Sequence, residues 1–222
     1  MKILLFITSY RQMEEYKYFQ LFLQQCPKLS ELCDIFVYCN NPVISSDLVH
    51  YFHQFQQINK QLFITNRNAG YRVGGVEAVS QAMDMGIFQS YDFVIHLHAD
   101  VFITEESALF NLLQEHVSTE KVFLVTKAFP FPTWYAFDFF IFKPKYLTFN
   151  IFKEELYSFT ESPEEYLFRM LQKNNISHQV VKRYDNDCWN PRRVDDHLKL
   201  YHEHDLEKVH TLLHNQPVIQ NV

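Results

Sequence analysis

Leu62-Phe63-Ile64-Thr65-Asn66-Arg67-Asn68-Ala69-Gly70-Tyr71-Arg72-Val73-Gly74-Gly75 is the stretch of this sequence from which the fold is most directly predicted. It starts as an apolar strand-like run and holds three of the chain's four glycines, together with two arginines. Glycine lets a backbone adopt positive φ or approach a ligand without a Cβ between them. The stretch therefore predicts a strand, then a turn close to an anionic ligand, then a helix from Val76 to Met85.

A second apolar run follows that helix and ends in a polar triplet. The run Tyr91–Leu97 has the character of a buried strand, and His98-Ala99-Asp100 comes directly after it. A carboxylate is a ligand that hard divalent cations prefer. A glycine-rich turn with cationic side chains, followed one helix and one strand later by an acidic residue, predicts a nucleotide site with a metal.

Strands and helices alternate through the first half of the chain. Apolar runs of strand length alternate with segments whose apolar residues recur at helical spacing. This order predicts a parallel sheet with right-handed crossovers, covered by helices on both faces. The predicted strands are Lys2–Thr8, Asp34–Cys39, Gln61–Thr65 and Tyr91–Leu97, and the predicted helices are Met13–Gln25, Ser46–Gln57 and Val76–Met85.

Polar residues stand at the carboxyl end of each predicted strand. Open α/β sheets bind their ligands beyond the carboxyl ends of the strands. Four polar strand ends at one edge indicate a site more strongly than any one of them does. The ends are Thr8-Ser9-Tyr10, Asn40-Asn41, Asn66–Gly75 and His98-Ala99-Asp100.

The second half is rich in aromatic residues and contains no linker, repeat or low-complexity segment. Eight of the fourteen residues from Phe129 to Phe142 are aromatic, with Asp138 as the single charge, and the run is more typical of core than of a sugar platform. We predict one domain over residues 1–222. Predicted elements are helices at Glu105–His116, Ser162–Lys173 and Leu206–Leu213, and strands at Lys121–Thr126, Phe139–Lys143 and Ser177–Arg183.

Composition excludes several classes of protein. The formal net charge of −6 argues against general nucleic-acid binding, which favours a basic surface. No run approaches eighteen consecutive apolar residues, so we expect no transmembrane helix and a cytoplasmic location. The four cysteines form no C-x-x-C pair, which predicts reduced, mostly buried thiols.

Over most of residues 1–205 the order of these parts resembles the GT-A fold of nucleotide-sugar-dependent glycosyltransferases. In that family the fourth strand ends in an Asp-x-Asp motif that holds Mn²⁺ or Mg²⁺. The matching residues here are His98-Ala99-Asp100, so the second acid is present and His98 replaces the first. The resemblance implies Asp100 as a metal ligand, with His202 or His204 returning from the C-terminal region. His98 would ligate the metal, bond the ribose, or do neither.

The resemblance also implies that the two halves of the chain bind different substrates. Residues 1–103 form a nucleotide-sugar-binding half and residues 104–222 an acceptor-binding half. Glu164 is the implied catalytic base, and Asp138 is the reserve candidate because a lone acid in an aromatic stretch needs a reason to be there. The implied donor-binding residues, which would contact base, ribose and diphosphate, are Thr8, Ser9, Tyr10, Asn40, Arg67, Asn68, Gly70, Arg72, Gly74, Gly75 and His98.

Structural explanations compete with several of these assignments. Ser162-Pro163-Glu164-Glu165 is a good capping box, which accounts for Glu165 without catalysis and leaves Glu164 as the freer candidate. Gly74 and Gly75 would equally suit a tight turn, and Arg67 and Arg72 a solvated face.

The function implied is transfer of a sugar from a UDP- or GDP-type donor to the hydroxyl of a glycan or other acceptor, as in polysaccharide biosynthesis. We expect it to depend on a metal and to invert configuration. One alternative is a nucleotidyltransferase that acts on a sugar phosphate. Such enzymes carry glycines after the first strand, whereas this chain has Thr8-Ser9-Tyr10-Arg11. The other is a non-catalytic nucleotide-sugar-binding protein with a decayed motif.

Overall fold

A computed structural model describes residues 1–9, 26–40, 52–53, 59–103, 105–128, 131–184, 198–202, 207–208 and 211. The predicted helix Met13–Gln25 and most of the one at Ser46–Gln57 lie outside the described residues, as do Tyr10 and His204. None of the helices formed by the described residues combines the length and the apolar character that crossing a membrane requires.

A seven-stranded sheet forms the centre of the molecule. Its order is β3-β2-β1-β4-β7-β6-β8, and β7 runs antiparallel to both of its neighbours while the other pairs are parallel. The prediction of a mostly parallel sheet is confirmed. The strands are β1 Ile3–Ser9, β2 Cys33–Cys39, β3 Lys60–Ile64, β4 Phe93–His98, β6 Phe123–Ala128, β7 Phe131–Phe142 and β8 His178–Val180.

A smaller sheet, four α-helices and a short 3-10 helix at Pro144–Tyr146 complete the elements formed by the described residues. The small sheet has the order β5-β10-β9, with β5 Val101–Ile103, β9 Arg183–Tyr184 and β10 Leu198–His202. The helices are α1 Pro27–Leu32, α2 Gly70–Asp84, α3 Glu106–His116 and α4 Pro163–Lys173. Two of them, α3 and α4, match the predicted helices closely.

The start of α2 corrects the prediction made from the glycine-rich segment. We expected a turn over residues 66–75 and a helix from Val76, but the helix begins at Gly70 and contains Gly74 and Gly75. Glycine weakens a helix by about 1 kcal/mol per residue relative to alanine. Packing of this helix against the sheet overrides that preference.

Side chains from the two faces of the sheet enter two separate layers of core. Along β1, for example, Ile3, Leu5 and Ile7 face the layer that includes α3, and Leu4 and Phe6 face the layer that includes α2 and α4. Alternation of this kind is what a strand covered on both faces produces. The result is a three-layer α/β/α arrangement.

Aromatic rings fill the layer under α2 and α4. Phe140 contacts His96, Phe123, Phe137, Phe142 and Phe152 at centroid distances between 4.4 and 6.1 Å. Offset and edge-on pairs at these distances are favourable. The aromatic run of the sequence therefore serves as core.

Strand β7 contains a slip in its alternation. Tyr135 and Phe137 face the same layer as Phe140 and Phe142, so the two-residue period shifts at Asp138. The pairing with β6 also changes register between Val125 and Lys127. Such irregularities change the direction in which side chains point at the edge of a sheet. This one places Asp138 beside the carboxyl end of β4.

The three described cysteines are free, buried thiols, as predicted; Cys188 lies outside the described residues. Burial, with smaller contributions from nearby acids, raises the pKa of Cys26 and of Cys33 to about 12. In an unfolded chain a thiol ionises near about 8.5. The folded state therefore keeps two protons that the unfolded state loses as the pH rises.

We predict that the free energy of unfolding falls as the pH rises from about 8.5 to 10, with a slope that approaches ~1.4 kcal/mol per pH unit for each of the two thiols as the unfolded thiol becomes fully ionised. Urea denaturation at closely spaced pH values measures the slope. Cys26→Ala and Cys33→Ala should each make the decline shallower by one thiol. A slope that both variants leave unchanged would contradict the prediction.

Candidate functional site

The strand order reverses between β1 and β4, and the carboxyl ends of these two strands meet there. Thr8 pairs with His98, and the N–H of Ala99 donates to the Thr8 carbonyl at 3.0 Å. The N–H of Asn40 donates to the Ser9 carbonyl at 2.7 Å. A topological switch point of this kind is where open α/β sheets bind ligands.

The structure brings the polar strand ends together at this edge, which we call the rim. Thr8, Ser9, Asn40, Thr65 and Asp100 all belong to it, and all are buried. Thr65 continues the row because its N–H donates to the Cys39 carbonyl at 3.0 Å. The rim is thus a row of buried polar groups along four adjacent strands.

The two histidines of β4 have different surroundings. His96 is fully buried, stacks on Phe140 at 4.4 Å and lies 3.2 Å from the hydroxyl of Thr8 through its Nε2. Burial, and then the neighbouring His98, hold the pKa of His96 well below its usual range. His96 is a neutral core residue, whereas the partly exposed His98, edge-on to it at 5.5 Å, lies at the rim.

Asp100 lies in the turn between β4 and β5. The antiparallel pairing of β10 with β5 places His202 opposite Val101, the residue after Asp100. A carboxylate and imidazoles form a donor set that Mn²⁺ accepts. Within the described part of the chain, no three side chains of His, Cys, Asp or Glu converge as a metal-binding group.

Asn40 connects the end of β2 to the start of α2. Its Oδ1 accepts from the N–H of Ala69 at 3.2 Å and from the hydroxyl of Thr65 at 3.5 Å. A Cβ placed on Gly74 would lie 2.0 Å from Asn40 Nδ2, closer than any real contact. Gly74 is therefore the residue that lets α2 pack directly on Asn40.

Gly75 and Gly70 have other surroundings. A Cβ on Gly75 would lie 3.1 Å from the ring of Phe137 and 3.6 Å from His98 Nε2. Gly70 has a φ of +83°, and its N–H donates to Asn68 Oδ1 at 2.8 Å. Gly70 therefore serves a backbone conformation of positive φ, whereas Gly74 and Gly75 allow the helix to lie very close to the rim.

The two arginines of the segment contact protein groups. Arg67 Nη2 donates to Glu77 and, at 3.1 Å, to the hydroxyl of Tyr157. Arg72 Nη1 donates to the Thr160 carbonyl at 3.0 Å. Both arginines therefore tie the glycine-rich segment to the loop that precedes α4.

A cavity of about 310 Å³ opens beside the rim, at the carboxyl end of the edge strand β3. Volumes of this order are typical of small-molecule sites. Glu77 was not among the residues predicted for the site; the available signal was an acid placed among Val76, Ala78, Val79 and Ala82, which are all buried. The lining residues are Phe63, Ile64, Thr65, Asn66, Arg67, Glu77 and Gln81.

The two candidate bases lie in different elements. Ser162 Oγ accepts from the N–H of Glu165 at 3.2 Å, so Ser162 caps α4 as the capping-box pattern predicted. Glu164 is half-buried in the first turn of the helix. Asp138 is half-buried at the β7 slip, and because Phe139 pairs with Leu97, it lies beside His98 at the rim.

No protein-family model matches this sequence, and no curated protein matches it. Solved structures do resemble the fold. A glycosyltransferase involved in the glycosylation of the major capsid of PBCV-1 is 11% identical, with a TM-score of 0.59 over 96% of this chain and 99% of that one. The galactosyltransferase LgtC, solved with donor and acceptor sugar analogs, is 10% identical, with a TM-score of 0.58 over 100% and 98%.

Two further structures widen the comparison. The mannosyltransferase PcManGT from Pyrobaculum calidifontis, in complex with GDP-Man and Mn²⁺, is 9% identical, with a TM-score of 0.54 over 82% of this chain and 55% of that one. A protein from Bacillus anthracis that has been assigned as a glucose-1-phosphate thymidylyltransferase is 9% identical, with a TM-score of 0.57 over 96% of each chain. The chain has the GT-A-like α/β fold that the sequence predicted.

We predict that Gly74→Ala destabilises the protein by about 2 kcal/mol, because the new methyl group overlaps the Asn40 amide in a packed region. In an Asn40→Ala background the same change should be close to neutral, since the overlapping atoms are gone and alanine favours the helix. Urea denaturation of the four proteins of this cycle measures the coupling. Additive effects would show that the glycine is not required by Asn40.

Proposed function

We propose that this protein is a glycosyltransferase that moves a sugar from a nucleoside-diphosphate donor to an acceptor hydroxyl. The observation that carries the proposal is the row of buried polar groups at the switch point, which ends in His98 and Asp100. The GT-A-like fold supports it, since several structures of that shape are sugar transferases.

The donor would lie along the rim. Thr8, Ser9 and Tyr10 would bind the base, with Asn40 beside them. The segment from Arg67 to Gly75, with Asn68, Gly70, Arg72 and Gly74, would lie next to the ribose and diphosphate. Helix N-termini and arginines both favour phosphate groups.

Asp100 would hold a divalent cation, Mn²⁺ or Mg²⁺, together with His98 and with His202 or His204. PcManGT was solved in complex with GDP-Man and Mn²⁺, which supports the use of a divalent cation. When bound, such an ion supplies positive charge that offsets the charge developing on the leaving diphosphate.

The acceptor would approach from residues 104–222, a half that we propose to bind a glycan or another hydroxyl compound, as in polysaccharide biosynthesis. In an inverting reaction a carboxylate removes the acceptor proton as the new bond forms. Asp138 lies at the rim beside His98, and this placement favours it over Glu164 as the base. LgtC was solved with donor and acceptor sugar analogs, and the first of the compared structures is a glycosyltransferase involved in the glycosylation of the major capsid of PBCV-1; both support the general class of sugar transfer.

A second candidate is a nucleotidyltransferase, because the thymidylyltransferase from Bacillus anthracis shares the fold. The two activities give different products. A glycosyltransferase releases a nucleoside diphosphate from a nucleotide sugar, whereas a nucleotidyltransferase releases pyrophosphate from a nucleoside triphosphate and a sugar phosphate. Product analysis with both pairs of substrates decides between the two activities. If neither product forms and the protein still binds a nucleotide sugar tightly, the result would favour a non-catalytic binding protein.

We predict that Asp100→Asn weakens binding of UDP or GDP in the presence of Mn²⁺ by about tenfold or more, because the cation that bridges to the diphosphate loses a carboxylate ligand. Isothermal titration calorimetry with and without Mn²⁺ measures the effect. Asp92→Asn, a change of the same charge at the opposite end of β4, is the control. Equal affinity of the Asp100→Asn variant and its parent would place the site elsewhere.

The two candidate bases can be separated by amide variants that keep side-chain shape. We predict that Asp138→Asn lowers kcat by about 10²-fold or more while nucleotide affinity stays near that of the parent, the effect expected when a general base is lost. Glu164→Gln should be mild. Loss of turnover in Glu164→Gln with full activity in Asp138→Asn would reverse the assignment.

A further inference from the structure

A buried acid lies behind the cavity at the end of β3. Glu77, in the middle of α2, exposes 2% of its side chain and lines this cavity. Burying a carboxylate is costly unless hydrogen bonds or an opposite charge compensate for the lost water. The groups that satisfy Glu77 therefore indicate what the residue does.

Three donors converge on one oxygen of Glu77. Arg67 Nη2, the hydroxyl of Tyr157 at 2.8 Å and Gln81 Nε2 at 3.1 Å all donate to Oε1. Gln81 is itself fixed, because the hydroxyl of Tyr38 donates to its Oε1 at 2.7 Å. The carboxylate is the centre of a connected network that runs from β2 across α2 to Tyr157.

The Arg67 guanidinium is hydrogen-bonded to the protein through one nitrogen, and much of the side chain remains exposed to solvent. Its side chain is 56% exposed although its partner Glu77 is buried, and its guanidinium lies 5.5 Å from the centre of the Tyr157 ring. The bonds to Glu77 and to Tyr157 both use Nη2. Arginine has five N–H donors, so this arrangement leaves the guanidinium able to bind an anion at the cavity mouth.

Tyr157 belongs to a segment, residues 150–160, that is fastened to two helices. Asn150 Nδ2 donates to the Ser80 carbonyl at 2.8 Å, and Lys153 pairs with Asp84 at 2.9 Å, both on α2. On α4, the hydroxyl of Tyr166 donates to the Glu154 carbonyl at 2.7 Å. These contacts fix the backbone of the segment, and the bonds of the Tyr157 hydroxyl to Glu77 and Arg67 place this largely exposed side chain beside the guanidinium.

We propose that Glu77 and Tyr157 are positioning residues that hold the Arg67 guanidinium at the mouth of the cavity, where it binds the diphosphate of the donor. The inference rests on the proposed function, and it adds that the half of the chain assigned to the acceptor contributes to donor affinity. A guanidinium fixed in advance loses less side-chain freedom when it binds an anion, and its planar fork suits phosphate oxygens.

The test is a double-mutant cycle on nucleotide affinity. Calorimetry with a panel of UDP, GDP, ADP and dTDP, at fixed Mn²⁺, first identifies the tightest binder to the parent protein. For that nucleotide, Arg67→Ala should raise Kd about tenfold, as expected for a lost bond to a charged group. Tyr157→Phe keeps the ring and removes only the hydroxyl, and it should raise Kd about threefold, a smaller part of the same interaction.

The decisive measurement is the double variant. If Tyr157 acts through Arg67, the Arg67→Ala/Tyr157→Phe protein should bind no more weakly than Arg67→Ala alone. Glu77→Gln should behave as Tyr157→Phe does. Lys145→Ala and Tyr146→Phe are the matched controls, since they remove a positive charge and a tyrosine hydroxyl from exposed positions elsewhere, and both variants should bind as the parent does.

Each failure has a distinct meaning. A parent that binds one of the nucleotides while Arg67→Ala binds it equally well would overturn the positioning role and leave the proposed function standing. A Tyr157→Phe effect that is the same with and without Arg67 would also overturn it. A parent that binds none of the four nucleotides would remove the proposed function and this inference together. Thermal unfolding of every variant shows that the comparison is between folded proteins.

Discussion

The direct packing of α2 on the carboxyl ends of the strands is the contact on which the rest of the site depends. Gly74 leaves room for the Asn40 amide, and Gly75 leaves room for Phe137 and His98. Because the helix lies this close, Glu77 faces the cavity and Arg67 can reach it. A larger residue at either glycine would move the helix outward and take both charged groups away from the rim.

The geometry of the site also depends on the layer of buried aromatic rings beneath the rim. His96 is neutral there, and its contact with Thr8 links β1 to β4 at the switch point. The packed rings around it fix the strand ends from below. The rim thus combines a rigid apolar floor with polar groups that are held in place before any ligand arrives, which is the condition for tight and specific binding.

Much of the fold follows from the sequence, because buried parallel strands are apolar runs and α3 and α4 have clear helical periodicity. The start of α2 at Gly70 was missed, since helix propensity disfavours glycine and only tertiary packing explains Gly74. The shift at Asp138 depends on how β7 pairs with β6, which no local pattern encodes. Glu77 was missed for a similar reason: its partner Tyr157 is 80 residues away.

The position of β1 at the centre of the sheet has a consequence for how the chain is made. β1 is synthesised before its partner β4, which follows about ninety residues later, since Ile3 pairs with Phe93. A nascent chain therefore carries an apolar strand with one unsatisfied edge until β4 emerges from the ribosome. Long-range pairing of this kind slows folding and prolongs the exposure of aggregation-prone intermediates. We therefore expect chaperones to assist the folding of this protein during its synthesis.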